Sequence, residues 1–209
     1  FYLAHLAFPS NSEDEDSFSF QAGQTTVTFH KALEGETPFY HFAFNVPSNQ
    51  FEVAKAWAKS KVTLSTDEGD DEVYFEFIDA KSIYFEDPAG NIVEFICRFS
   101  DATASDEPFS ATSLKKMSEM SLAVRNKVEA FTLLHDAGIY KRNDEELSPT
   151  GLTFIGDRAE ATYFLLVNEG RTWYFSSKPA VSYPLSITLT NGVTISIDDK
   201  RQLLYTTKE

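Results

Sequence analysis

An α+β fold built from repeated strand–helix–hairpin modules is predicted by three features: a stretch alternating in strand period, a helix-capping pattern directly after it, and the return of both further along the chain. From Pro38 to Val46, Tyr40, Phe42, Phe44 and Val46 alternate with Phe39, His41, Ala43 and Asn45, so this strand has two unlike faces. Asn49 with Glu52 three positions on reads as an N-cap, and Val53, Ala54, Trp57 and Ala58 follow at helical spacing. After the acidic loop around Asp67 to Asp71, strands are predicted at Val73 to Ile78, Ser82 to Glu86 and Asn91 to Cys97. Asp87-Pro88-Ala89-Gly90 joins the last two as a tight hairpin, because Pro favours the second position of a type I turn and Gly its end.

From Asp101 to Ser113 the chain turns to Asp, Ser, Thr, Ala and Pro without hydrophobic period, and the boundary falls here. The expected organisation is a domain over 1–100, made of an incomplete first module and a complete second, a linker over 101–117 and a degenerate, metal-free third module over 118–209. In that module Met120 to Val124 is a strand, Asn126 and Glu129 repeat the capping spacing, and a helix runs to Gly138. Later strands are Tyr163 to Asn168, Arg171 to Phe175, Pro184 to Thr190 and Val193 to Ile197, with Asn191-Gly192 as a two-residue hairpin turn. Near the start, Ser17 to Phe20 and Thr25 to Phe29 resemble the closing strands of an earlier module whose first strand is not in this chain. Asn11 to Asp16 reads as a solvated acidic loop. Because the sequence opens at Phe1 in the middle of an apolar pattern, the natural protein is expected to start earlier.

The 209 residues are 42% hydrophobic, enough to bury a core, and carry a formal net charge of -14. Such a surface repels phosphate backbones and anionic headgroups, which argues against nucleic acid and membrane partners. Cys97 is the single cysteine, so no internal disulfide forms; a buried thiol in a reducing, cytoplasmic protein is expected. No apolar stretch is long enough to span a bilayer and no signal-peptide pattern opens the chain.

Chemistry concentrates on two residues. His41 lies on the strand face opposite the uniformly apolar one, and Glu94 sits in Asn91-Ile92-Val93-Glu94-Phe95-Ile96, where a carboxylate between apolar neighbours needs a partner. Imidazole and carboxylate together are ligands for Fe, Mn, Ni or Zn. The plain alternative is a hydrogen-bonded core histidine and an exposed glutamate on an edge strand. Tyr84 shares parity with Ser82 and Glu86 and would face the same side as Glu94, as a proton donor or as a packed tyrosine. His5, His30 and His135 read as structural or exposed, and Arg171 beside Trp173 as an anion site or a stacked pair. Met120 to Val124 holds no ligand type, so a third ligand is not visible. Phosphate loops, nucleophile elbows and clustered cysteines are absent.

The ordered motifs Tyr40-His41-Phe42-Ala43-Phe44-Asn45-Val46 and Asp87-Pro88-Ala89-Gly90-Asn91-Ile92-Val93-Glu94-Phe95 resemble a module of the vicinal oxygen chelate superfamily, which includes glyoxalase I, extradiol dioxygenases and bleomycin-resistance proteins. The resemblance implies tandem βαβββ modules pairing into a cupped mixed β-sheet with helices on its outer face. It implies a divalent metal held by His41 and Glu94, with Tyr84 as a catalytic group. The activity implied is that of a glyoxalase- or dioxygenase-like enzyme on a small oxygen-rich or aromatic substrate, in a homodimer. Its rival is a metal-free, ligand-sequestering protein of the bleomycin-resistance kind.

Overall fold

The computed structural model describes residues 1–142, 147–148 and 150–207. Its contacts divide the chain into two units, Phe1–Glu119 and Met120–Glu209. The class is α+β, with a mixed sheet and two short α-helices among the described residues.

In the first unit β1 (Ser10–Glu13), β2 (Ser17–Ala22) and β3 (Thr25–His30) form an antiparallel sheet in chain order. The predicted module follows as β4 (His41–Asn45), α1 (Phe51–Lys59), β5 (Val73–Phe75), β6 (Ala80–Glu86) and β7 (Ile92–Arg98). Its strands lie in the order β5-β6-β7-β4, and the start of β8 (Met117–Val124) lies beside β4. β6 and β7 are the predicted antiparallel hairpin, closed by Gly90 N–H donating to Asp87 O at 2.9 Å with Gly90 at φ +82°. β4 and β7 pair in parallel, and every residue of both is buried, as a parallel pair covered on both faces requires.

Alternation divides this sheet sharply. One face presents Phe42 and Phe44 from β4 and Phe95 from β7; Phe44 makes tilted and edge-on contacts with Phe8, Phe20, Phe42 and Phe95 at centroid distances of 5.6 to 6.4 Å. Trp57 of α1 lies 6.1 Å from Phe95 on this same side. Tyr2 fastens the N-terminal segment: its ring stacks on Phe20 at 4.8 Å and its hydroxyl donates to Asp87 Oδ2 at 2.7 Å in the hairpin turn. The opposite face carries His41, Glu94 and Tyr84.

In the second unit β8 is followed by α2 (Lys127–Asp136), β9 (Thr153–Ile155) and β10 (Tyr163–Asn168), ordered β8-β10-β9. A separate antiparallel sheet is formed by β11 (Leu185–Thr188), β12 (Val193–Ile197) and β13 (Leu203–Thr207). Leu122, Leu134, Ile155, Leu166 and Ile195 form one fully buried core in this unit. Asn126 caps α2 as expected, accepting from Val128 and Glu129 N–H.

Several local expectations are corrected. Asn49 does not cap α1: the N-cap is Gln50, and the Asn49 amide instead clasps Ser105 through both its oxygen and its nitrogen at 3.0 Å. Ser10–Glu13 is a strand rather than loop, because its backbone pairs with β2 although its side chains are all exposed. Residues 76–78 leave β5 as a 3-10 turn ending at Asp79, whose φ is +46°. Arg171 to Phe175 is no strand; only Thr172 makes an isolated bridge, to Pro179. The β11–β12 loop holds one residue more than the Asn-Gly pair, since Leu189 N–H bonds Val193 O and only Gly192 takes a positive φ. No helix among the described residues is long and apolar enough to cross a membrane.

Phe44 is fully buried at the meeting point of four rings, so Phe44→Ala should cost about 3–5 kcal/mol in urea unfolding. Phe77→Ala, at a side chain 67% exposed, should change stability by less than about 0.5 kcal/mol.

Candidate metal centre

The parallel register of β4 and β7 sets Ala43 opposite Glu94 and His41 opposite Ile92, so His41 and Glu94 emerge on the same face one step apart. His41 Nε2 lies 3.4 Å from Glu94 Oε2. On the other side of the ring, Nδ1 lies 3.1 Å from the Ile92 carbonyl oxygen. A proton on Nδ1 donated to that carbonyl leaves the Nε2 lone pair directed at the site, the arrangement by which metal-binding histidines are oriented. Glu119, third residue of β8, supplies a second carboxylate. One ligand atom from each of His41, Glu94 and Glu119 lies within 4.8 Å of the others, and all three residues are buried.

These residues fit a divalent ion in their donor types and in what they leave unsatisfied. Glu94 Oε1 is buried and accepts no hydrogen bond among the described residues. A buried carboxylate oxygen without a donor is costly unless a cation faces it. Imidazole with two carboxylates suits the borderline first-row metals. Arg98, fully buried on β7, donates through Nη2 to Glu119 Oε1 and through Nε to Ser118 Oγ at 3.1 Å.

Tyr84 stands on β6 directly opposite Glu94 of β7, with its ring centroid 6.2 Å from that of His41. Burial, then the Glu94 and Glu119 charges, hold its hydroxyl well above the ordinary range, so it stays protonated and able to donate. The other candidates stand elsewhere. His5 and His30 are exposed, His5 with Nε2 against the Lys61 carbonyl oxygen; His135 is exposed on α2; Arg171 stacks on Trp173 and Tyr174. Cys97 is buried, and burial pushes its thiol up to about 11. Sequence reasoning missed Glu119 by starting the strand at Met120. The signal was present in the alternation of Met117, Glu119 and Ser121 with Ser118, Met120 and Leu122.

Crowding of the two carboxylates governs the electrostatics. Burial, then the Glu94 charge, raises Glu119 to about 7 despite Arg98 and His41. For His41 burial acts downward, but the hydrogen bond and charge of Glu94 outweigh it and the pKa is raised. Both groups bind protons more tightly folded than unfolded. Glu119 therefore contributes stability that is present below the unfolded glutamate pKa and lost as pH rises toward 7; the His41 contribution is lost as pH rises through its own raised value. The metal-free protein should accordingly be less stable at pH 8 than at pH 5.5, and Glu119→Gln should flatten that slope in thermal melts at a series of pH values.

Comparison with known proteins bears on the fold. A family model described as toxoflavin-degrading enzyme matches residues 117–171, and no curated protein matches the chain. Among solved structures, a putative dioxygenase from Bacillus subtilis is similar at 13% identity and TM-score 0.54, over 98% of this chain and 78% of that one. Glyoxalase I from Zea mays is similar at 12% identity and TM-score 0.51, over 98% of this chain and 85% of its own. At these identities the likeness is one of fold, and the chain has the fold of the vicinal oxygen chelate superfamily that its ordered motifs resemble.

Proposed function

We propose that this chain is a metal-dependent enzyme of glyoxalase or dioxygenase type, acting on a small oxygen-rich or aromatic substrate. The observation that carries the reading is the unsatisfied Glu94 Oε1, buried where His41 and Glu119 converge within 4.8 Å. His41 Nε2, Glu94 and Glu119 would hold Fe, Mn, Ni or Zn, and the ion would supply Lewis-acid polarisation of two neighbouring substrate oxygens. The Ile92 carbonyl fixes the imidazole, and Tyr84 donates a hydrogen bond or a proton to a substrate oxygen beside Glu94. Burial of the whole group keeps bulk water from competing for these contacts. A cytoplasmic homodimer without nucleic acid or membrane partners belongs to the same reading, supported by the net charge of -14, the unpaired thiol and the single-neighbour edge strand β5.

One observation favours the metal-free, ligand-binding alternative: the Arg98 guanidinium already occupies one oxygen of Glu119. Elemental analysis of protein purified without chelator separates the two. The enzyme reading predicts about one first-row metal ion per chain, lost in His41→Ala, Glu94→Ala and Glu119→Ala and retained in Tyr84→Phe. A folded wild type that is purified without metal and takes none up when a first-row ion is added contradicts it and moves the assignment to small-molecule binding.

A further inference from the structure

Arg98 is the one guanidinium that reaches the centre among the described residues, and a site that needs only ligands has no use for it. It lies on β7, two alternations beyond Glu94 on the same face, fully buried. Its Nη2 meets Glu119 Oε1 and its Nε meets Ser118 Oγ. A fixed positive charge therefore touches one of the two carboxylates that a divalent ion would have to neutralise.

We infer that Arg98 is the resident counter-ion of this centre and competes with the metal for Glu119. The inference rests on the metal-binding reading and adds a property to it: occupancy is conditional. Without metal, the guanidinium compensates Glu119 and keeps two neighbouring carboxylates buried together. With metal, Glu119 would serve two cations at once, and the fixed charge of the guanidinium would repel the ion. Affinity is thereby lowered, while the geometry of the empty site is preserved. A guanidinium cannot lose its charge to relieve this conflict.

Arg98→Met removes the charge and keeps much of the volume; Arg98→Lys keeps the charge. After chelator treatment, each protein is titrated calorimetrically with Zn2+ alone at pH 7.5, and the melting temperatures of the metal-free forms are compared. Competition predicts that Arg98→Met binds Zn2+ at least tenfold more tightly than wild type, that Arg98→Lys stays near wild type, and that metal-free Arg98→Met melts lower. It also predicts that Arg98→Met/Glu119→Gln recovers most of that loss, since the buried charge left without a partner is gone. Equal or weaker Zn2+ binding by Arg98→Met overturns the competition and makes Arg98 a positioning residue for Glu119. Should neither wild type nor Arg98→Met bind Zn2+, the metal reading falls, and competition with it. The counter-ion role is then decided by the metal-free melts: an Arg98→Met protein as stable as wild type overturns it, and a loss rescued by Glu119→Gln upholds it. If Arg98→Met alone does not fold, a double variant that folds upholds the counter-ion role, and one that also fails to fold overturns it.

Discussion

Glu94 and Glu119 are carried into the interior of the first unit together, within 4.8 Å of each other and of His41, and two carboxylates out of water at that spacing cannot both be charged without cations beside them. Three side chains on this face of the sheet answer that repulsion. The His41 ring lies against Glu94, the Arg98 guanidinium against Glu119, and the Tyr84 hydroxyl stays protonated beside both carboxylates. One oxygen of Glu94 still lacks a donor among the described residues. A divalent ion would supply what these groups leave missing.

The site depends in turn on a backbone feature, the parallel pairing of β4 with β7. Parallel register places a residue of β4 beside the step between two residues of β7, which is how His41 reaches both the Ile92 carbonyl and the Glu94 carboxylate. A slip by one residue would turn His41 toward the aromatic face. That face prevents the slip, because Phe42 and Phe44 are locked among Phe8, Phe20, Phe29 and Phe95. Aromatic packing on one side thus fixes polar geometry on the other.

Much of the fold was legible because its signals are local. The alternation around His41, the Asp-Pro-Ala-Gly turn and the Asn126 cap each rest on neighbours within a few residues, and each stands as expected. Where tertiary contacts decide, the reading failed. Asn49 has the composition of a cap, yet its amide is taken by Ser105, far along the chain. Arg171 to Phe175 has strand composition, but its arginine stacks on its own Trp173 and Tyr174. Glu119 escaped notice for a similar reason. Its neighbours Ser118 and Met117 look like the end of a polar linker until β4 is seen beside them, and its partner Arg98 is apparent only once β7 and β8 converge on one site.

Conditional occupancy would reconcile the two functional readings, because a centre that Arg98 holds together when empty would serve for metal-assisted chemistry or for holding a ligand. Which of these the centre performs turns on whether an ion enters between His41 and the two glutamates. Anomalous diffraction at the metal edge, from a crystal of protein soaked with Zn2+, tests this most directly. The account predicts one buried peak about 2.0–2.2 Å from His41 Nε2 and from an oxygen of each of Glu94 and Glu119. A peak confined to the surface, or none with the Arg98–Glu119 pair intact, would contradict it.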